Sequence, residues 1–520
     1  MIYKKKRKMF RKSSTNKQLD LFSTPSNYLS VKDRTFLEDP KAWHNEFYQK
    51  VTCNIDEEKL RPLYKDSSLG APTKNIRTII AMRILKEGYG ISDSMLEEQL
   101  RFSLVWRRAL GLLNLDDVSP SIDSYYLLFR RISEYEEQTG INLYKEIYQD
   151  ITSKQIRHYG ISGNMVRMDS KLIGSNIAWF SRYEIIHETY CKSVSELEAS
   201  LIQDQMCRQM AEDFLEEDAA KTVYNSNDKT LASKMLNLGI VINRILSMCP
   251  EDEKPLLRRV FGEQYQVAED GTVSVRDKRA ISANSVQNPN DPDATYRRKG
   301  NQKVKGNSTN ITETCGEEGK PSLITDVQVG PSTTADNSFL KDAIEETQKV
   351  TGNKVEKAIA DGAYQSEANR ELASDGENGF ELICSGLQGK PSRYAYSLQD
   401  DGSLLVTDKT TGETITAIKV KPDKWKIPVN DRNGRQVYKY IDMKMVNSCE
   451  VRKKMESIPI EDRKMRNNVE AAMFQYSYHT RNNKTRYRGL FKQTLQALAR
   501  CAWINMRRLF IFDMNLALQS

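Results

Sequence analysis

The chain has 520 residues, 39% hydrophobic and 28% charged, which is too long for one ordinary core and points to two to four domains. No run of about 18 apolar residues occurs, and the basic start Lys4-Lys5-Lys6-Arg7-Lys8 leads into no apolar stretch, which argues against a membrane-spanning helix and a secretory signal. The net charge of +8 is concentrated at residues 4–17, 297–305 and 481–492, a distribution that suits a polyanion such as DNA and also suits solvated faces with a basic tail.

In chain order, residues 1–30 are basic and rich in Ser, Thr and Asn, and read as a disordered tail. Residues 31–160 read as an all-α domain. Ile76 to Leu85 form an apolar helix ending near Gly88 and Gly90. Ser92 caps the next helix, with Met95, Leu96 and Leu100 on its apolar face. A third helix follows Ser119-Pro120-Ser121 and ends in Arg130-Arg131. Short helices joined by tight turns suit a helix-turn-helix arrangement, and equally any small helical bundle.

The texture changes at residue 161. Met165 to Ile173 reads as a strand with Asp169 inside it. Residues 193–265 return to helix, with Leu238, Val241, Ile242 and Ile245 at helical spacing. Residues 270–310 are polar and loop-like, ending in a strand at Asn307 to Thr314. Leu323 to Val329 is a strand, Asn337 to Val350 a helix, and Val355 to Asp361 a strand closed by Gly362. This alternation predicts an α/β fold with a mixed sheet. Residues 380–450 are strand-rich, with hairpin signals at Asp401-Gly402, Thr411-Gly412 and Asn433-Gly434, and form a candidate β insertion. Residues 459–515 are helical again.

The chemistry follows from what the chain lacks as well as what it has. The eight cysteines are scattered without a CxxC pair, as expected of reduced thiols in the cytosol. The four histidines, His44, His158, His187 and His479, have no ligand spacing. A catalytic metal would therefore be held by oxygen, which points to Mg²⁺ or Mn²⁺. Asp169 and Asp361 occupy strand positions, and Glu470 lies on a helix. Phosphodiester chemistry without histidine uses two divalent ions to activate a nucleophile and neutralise the phosphate, and two or three carboxylates suffice to hold them. From spacing alone, each acid reads equally as a surface or capping residue. Trp179 and Tyr183 read as stacking platforms for an extruded base or as core aromatics, and Cys384 as a buried strand cysteine.

Several blocks in order along residues 40–510 resemble the DDE transposases of bacterial insertion sequences. Gly70 to Arg131, with its Gly-Tyr-Gly-Ile-Ser-Asp turn and Phe-Arg-Arg end, resembles an InsH-type N-terminal helical domain. Met168-Asp169-Ser170-Lys171-Leu172-Ile173 resembles the first catalytic strand. Asp291-Pro292-Asp293 to Gly300 resembles a family block. Ile359-Ala360-Asp361-Gly362-Ala363-Tyr364 resembles the second-aspartate motif, and Asn468-Val469-Glu470 to Leu490 the glutamate region.

The resemblance implies an RNase H-like core at 161–520, with a helical insertion at 193–265 and a β-rich one at 380–450, behind a DNA-binding domain at 31–160. It implies that Asp169, Asp361 and Glu470 hold the metal pair. It further implies cleavage at the element's terminal repeats and strand transfer into target DNA by a cytoplasmic, nucleoid-associated homodimer on DNA. A nuclease without strand transfer and an inactive DNA-binding protein are the alternatives. Arg466 matches an arginine one helical turn before the glutamate, placed to hold a phosphate or to form a surface ion pair. Where many relatives carry a lysine seven residues after the glutamate, this chain has Ser477. Lys484, Arg486 and Arg488 are the cations available instead. Arg130, Arg131, Arg297, Arg298 and Lys299 are the further residues expected along the DNA.

Overall fold

The computed structural model describes residues 10, 12, 22–64, 75–384, 386, 390–430, 434–459, 465 and 467–519. The basic tail lies almost wholly outside the described residues. Among those described, no helix is long and apolar enough to cross a membrane.

The N-terminal region is helical, as its periodicity predicts. Helix α1 (Ile76–Tyr89) starts at Asn75, whose side chain accepts from the Thr78 amide, and stops at Gly90, whose φ of 67° is the left-handed conformation glycine tolerates. Every residue from Ile76 to Gly88 is buried. A helix buried all round must engage its charges: Arg77 meets Glu57, Lys86 meets Asp93 and Glu87 meets Arg486, while Arg83 donates to the Tyr125 hydroxyl and lies over the Phe129 ring. Helix α2 (Asp93–Phe102) is capped by the Ser92 hydroxyl. Helix α3 (Ile122–Thr139) is capped by Ser121 and runs a further eight residues beyond Arg131, to a left-handed Gly140. The sequence offers no stop at Arg131, because Ile132 continues the buried face. Helix α4 (Leu143–Tyr159) leads into the sheet.

The main sheet is mixed. Strand β1 (Met165–Ser175) is followed by a helical stretch between Arg182 and Gln264 with its own core of Tyr183, Tyr190, Leu238, Ile242 and Val260, closed by a small hairpin. Strands β2 (Thr295–Lys299), β3 (Gln302–Thr314) and β4 (Ile324–Pro331) follow. The expected loop holds over most of 276–294, but from Thr295 the chain forms a β hairpin. Its alternation is hidden by polar side chains, several of which are buried in β3. Helix α5 (Leu340–Thr351) then leads to β5 (Lys357–Ala360) and β6 (Glu381–Cys384). The order across the sheet is β2-β3-β1-β5-β6, with β4 also paired to β3. Strands β1, β3 and β4 are antiparallel neighbours, while β1, β5 and β6 run parallel.

Phe380 to Cys384 therefore belongs with the main sheet and not with the β-rich stretch. A separate five-stranded antiparallel sheet occupies residues 394–442. Gly402, Gly412 and Gly434 all have φ near +78°, at the three positions where the sequence predicts hairpins (Gly402 77°, Gly412 79°, Gly434 77°). A helix at Met443–Ser457 follows. Near the end come helix α6 (Asn467–Ser477), the two-residue strand β7 (Lys484–Thr485) beside β1, and the long helix α7 (Leu490–Gln519). The predicted helical stretch is thus broken at 478–489.

Alternation along β1 assigns its faces. Val166 and Met168 pack with α5 in one core. Arg167, Lys171 and Ile173 face α6 and α7. The core on that side is continuous with the N-terminal helices: Ile80, Leu85, Tyr148, Ile311, Leu498 and Trp503 belong to one cluster.

Candidate active site

Strand β1 is central, and its parallel pairing with β5 sets the site. The last paired residues are Arg167 and Ile359, so Asp169 and Asp361 each stand two residues further along adjacent strands. Each carboxylate accepts the backbone amide that follows it, Ser170 at 2.8 Å and Gly362 at 2.5 Å. Asp361 ends the strand and caps a single 3-10 turn, Gly362–Tyr364.

That turn delivers Tyr364, which is fully buried, with its hydroxyl donating to Asn310 Oδ1 at 2.5 Å. Burial pushes the Tyr364 hydroxyl well above its ordinary range, and the negative charges of Asp169, Asp336 and Asp361 push it further. Three aspartates thus surround one phenol. Asp336 is itself buried and faces Arg297 at 3.6 Å.

Helix α6 brings the third acid. Arg167 donates to the Met465 carbonyl at 3.1 Å, just before the helix, and Lys171 donates to Ser477 Oγ at 2.7 Å, at its end. The helix therefore runs alongside β1 from Arg167 to Lys171, past Asp169. Glu470 precedes Ser477 by seven residues, two helical turns, and so shares its face. Its side chain is exposed. Among the described residues, no three His, Cys, Asp or Glu side chains are grouped closely enough to hold a metal ion. The fold sets Asp169 and Asp361 on adjacent strands, and Glu470 is exposed on α6. Their hard oxygen donors are those a magnesium-type ion takes. Arg466 lies outside the described residues.

The basic residues divide. Arg486 donates to the Ile91 carbonyl at 2.7 Å and meets Glu87 at 3.5 Å, and Arg488 donates to the Asn176 carbonyl at 3.3 Å. Arg486 lines, with Lys484 and Arg481, a cleft of about 400 Å³ between α1 and the end of β1. Arg297 is engaged in the fold: it donates to the Ser332 and Thr334 carbonyls, so a free phosphate-tracking role does not suit it. Arg298 donates to its own turn at Gly300, and Lys299 is exposed. Arg130 is exposed beside Glu134, whereas the Arg131 guanidinium lies 5.3 Å over the Tyr64 ring. Tyr183 is a core residue bonded to Glu217, Trp179 is half exposed beside Lys305, and Cys384 is buried. Asp291 and Asp293 accept from the Gly489 and Leu490 amides and so anchor the start of α7.

Asn310, Asp336 and Lys171 escaped the reading of the sequence. Lys171 alone had a signal, the period of two that places it on the same face as Asp169.

Residues 36–131 match the model of a family described as a transposase domain (DUF772). Over those residues the chain is similar to a transposase domain. No curated protein and no solved structure matches it. The transposase domain contains α1, α2 and the first half of α3, and the resemblance read at Gly70 to Arg131 falls within it. Its α1 is the wall of the cleft that holds Arg486, so the domain abuts the end of the acid-bearing strand.

Proposed function

We propose that this transposase-domain protein cuts DNA at the ends of its element and joins the released 3′ ends to target DNA, using divalent metal in an RNase H-like core. The observation that carries this reading is the register of β1 and β5, which sets Asp169 and Asp361 side by side on neighbouring strands. Carboxylates grouped without a cation repel and resist burial, so their proximity favours a site for Mg²⁺ or Mn²⁺. The mixed sheet, an antiparallel meander continued by two parallel strands, supports the RNase H-like assignment.

Asp169 and Asp361 would hold the metal, with Glu470 drawn in from α6 as the third ligand. Bound metal supplies an activated water or 3′-hydroxyl and neutralises charge on the phosphate. The chain's own task is positioning. Strands β1 and β5 fix two acids, the 3-10 turn after Asp361 locks its backbone, and the buried Tyr364–Asn310 bond ties that turn to β3. Lys484, Arg486 and Arg488, exposed where Arg297 is not, would lead the DNA backbone from the transposase domain to the acids; Arg466, four residues before Glu470 in the sequence, is a further expected contact. Joining two ends in one event would require a dimer on DNA.

The test combines a plasmid carrying the sequences that flank this reading frame, a target plasmid and Mg²⁺. A joined product that disappears in Asp169→Asn supports the proposal. Cleavage without any joined product would indicate a nuclease, and full strand transfer by Asp169→Asn would remove the acid site from the mechanism.

A further inference from the structure

We propose that Lys171 is a phosphate-holding residue of this same acid site, a role that rests on the reading above. Three observations carry it. Lys171 follows Asp169 by two residues on β1, so both side chains leave the same face of the sheet. Its ammonium reaches across to α6 and donates to Ser477 Oγ at 2.7 Å, on the helix face that also carries Glu470. Among the described residues no carboxylate pairs with it, although the neighbouring Arg167 on the same face is fully engaged with Glu313 and the Met465 carbonyl.

A half-buried ammonium held by one neutral hydroxyl keeps unfilled donor capacity, because lysine has three N–H groups to offer. A structural lysine would be expected to meet a carboxylate or several carbonyls, as Arg167 does. The ligand that supplies the missing negative charge beside two aspartates, without displacing metal from them, is an anionic oxygen of the DNA backbone. The Ser477 hydroxyl holds the ammonium between β1 and α6 in the meantime.

The experiment uses the full chain and a duplex DNA of arbitrary sequence, in buffer with chelator, so that metal plays no part. Binding is measured between about 50 and 200 mM salt, where each phosphate contact contributes about 0.9 to the slope of log affinity against log salt. Lys171→Gln is expected to lower that slope by about 0.9, with Lys171→Arg keeping it. Ser477→Ala keeps the slope as well, because the hydroxyl only parks the cation. An unchanged slope in a folded Lys171→Gln overturns the inference. If Lys171→Gln does not fold, a Lys171→Arg slope unlike that of the parent overturns it. The plasmid assay reads the wider proposal separately: a parent chain that binds DNA with the full slope but never cleaves it sinks the strand-transfer reading and leaves the lysine assignment standing.

Discussion

Arg500 of α7 donates to the Gly88 carbonyl at 2.5 Å, at the C-terminal end of α1. The same guanidinium donates to the Gln475 carbonyl at 2.7 Å, on the last turn of α6. One buried cation thus satisfies the orphan carbonyls of two helices, one from the transposase domain and one carrying Glu470. Burial, with Arg507 nearby, lowers its pKa to about 10. Arg500→Ala should cost about 3 kcal/mol, since hydrogen bonds to charged groups contribute roughly 1.5–3 kcal/mol each and do not add fully. Arg500→Lys should restore less than half, because an ammonium lacks the planar fork that spans both helix ends. Denaturant titration of the two variants checks this, and an undiminished midpoint for Arg500→Ala would count against it.

Asp169→Asn and Asp361→Asn should each lower DNA cleavage by about 10²–10³-fold, the equivalent of roughly 3–4 kcal/mol of transition-state stabilisation. Without metal, neither should be less stable than the parent, because each removes a negative charge from a group that repels itself. Melting curves with chelator and with Mg²⁺ measure both effects. A large loss of stability in chelator would show the acids to be structural.

Arg297 and Lys484 should separate cleanly. Arg297→Ala leaves two carbonyls and the buried Asp336 without their cation, and should cost about 2 kcal/mol. Its salt dependence of DNA binding should match the parent. Lys484→Gln should fold normally and lose about 0.9 of the slope. The opposite pattern would restore Arg297 as a DNA contact.

Acid should loosen the transposase domain through Asp93. Burial alone would raise its pKa, but hydrogen bonds from Lys86 and Tyr126, with the charges of Lys86 and Arg486, hold it below the ordinary 3.8. A carboxyl whose folded pKa is depressed stabilises the fold above its unfolded value. That contribution is lost as pH falls through the folded value. The parent should therefore lose stability below pH 3.8, and Asp93→Asn should show a flatter acid limb. Stability measured from pH 6 downward, at about one-unit steps, decides it.

The sequence made much of this legible, and its failures have physical causes. Caps at Ser92 and Ser121 and three glycine turns were readable because local backbone demands select those residues. The hairpin before residue 307 was hidden because Thr295 and Lys305 are buried polar residues whose partners, Ser332 and the Phe180 carbonyl, are remote in sequence. Arg297 looked like a free cation because Asp336, which faces it, is remote in sequence. Asp169 and Asp361 were legible as strand acids. That Asp336 faces the same phenol followed only from the fold. Leu495 to Phe510 is an apolar segment interrupted by Arg500, Arg507 and Arg508. Arg500 and Arg508 turn out to be its anchors, to helix ends and to buried Glu313.

A consequence concerns synthesis. Gly88 has no side chain because Trp503 lies where its Cβ would be, at 2.5 Å, so α7 completes the packing around α1. The ribosome delivers α7 roughly 400 residues, tens of seconds, after α1 has emerged. Until then the apolar surface of the first helices has no permanent cover. A message cut short before Leu490 would yield no free-standing N-terminal fragment able to occupy DNA in place of the whole protein, and an unfinished copy would be cleared as a misfolded chain.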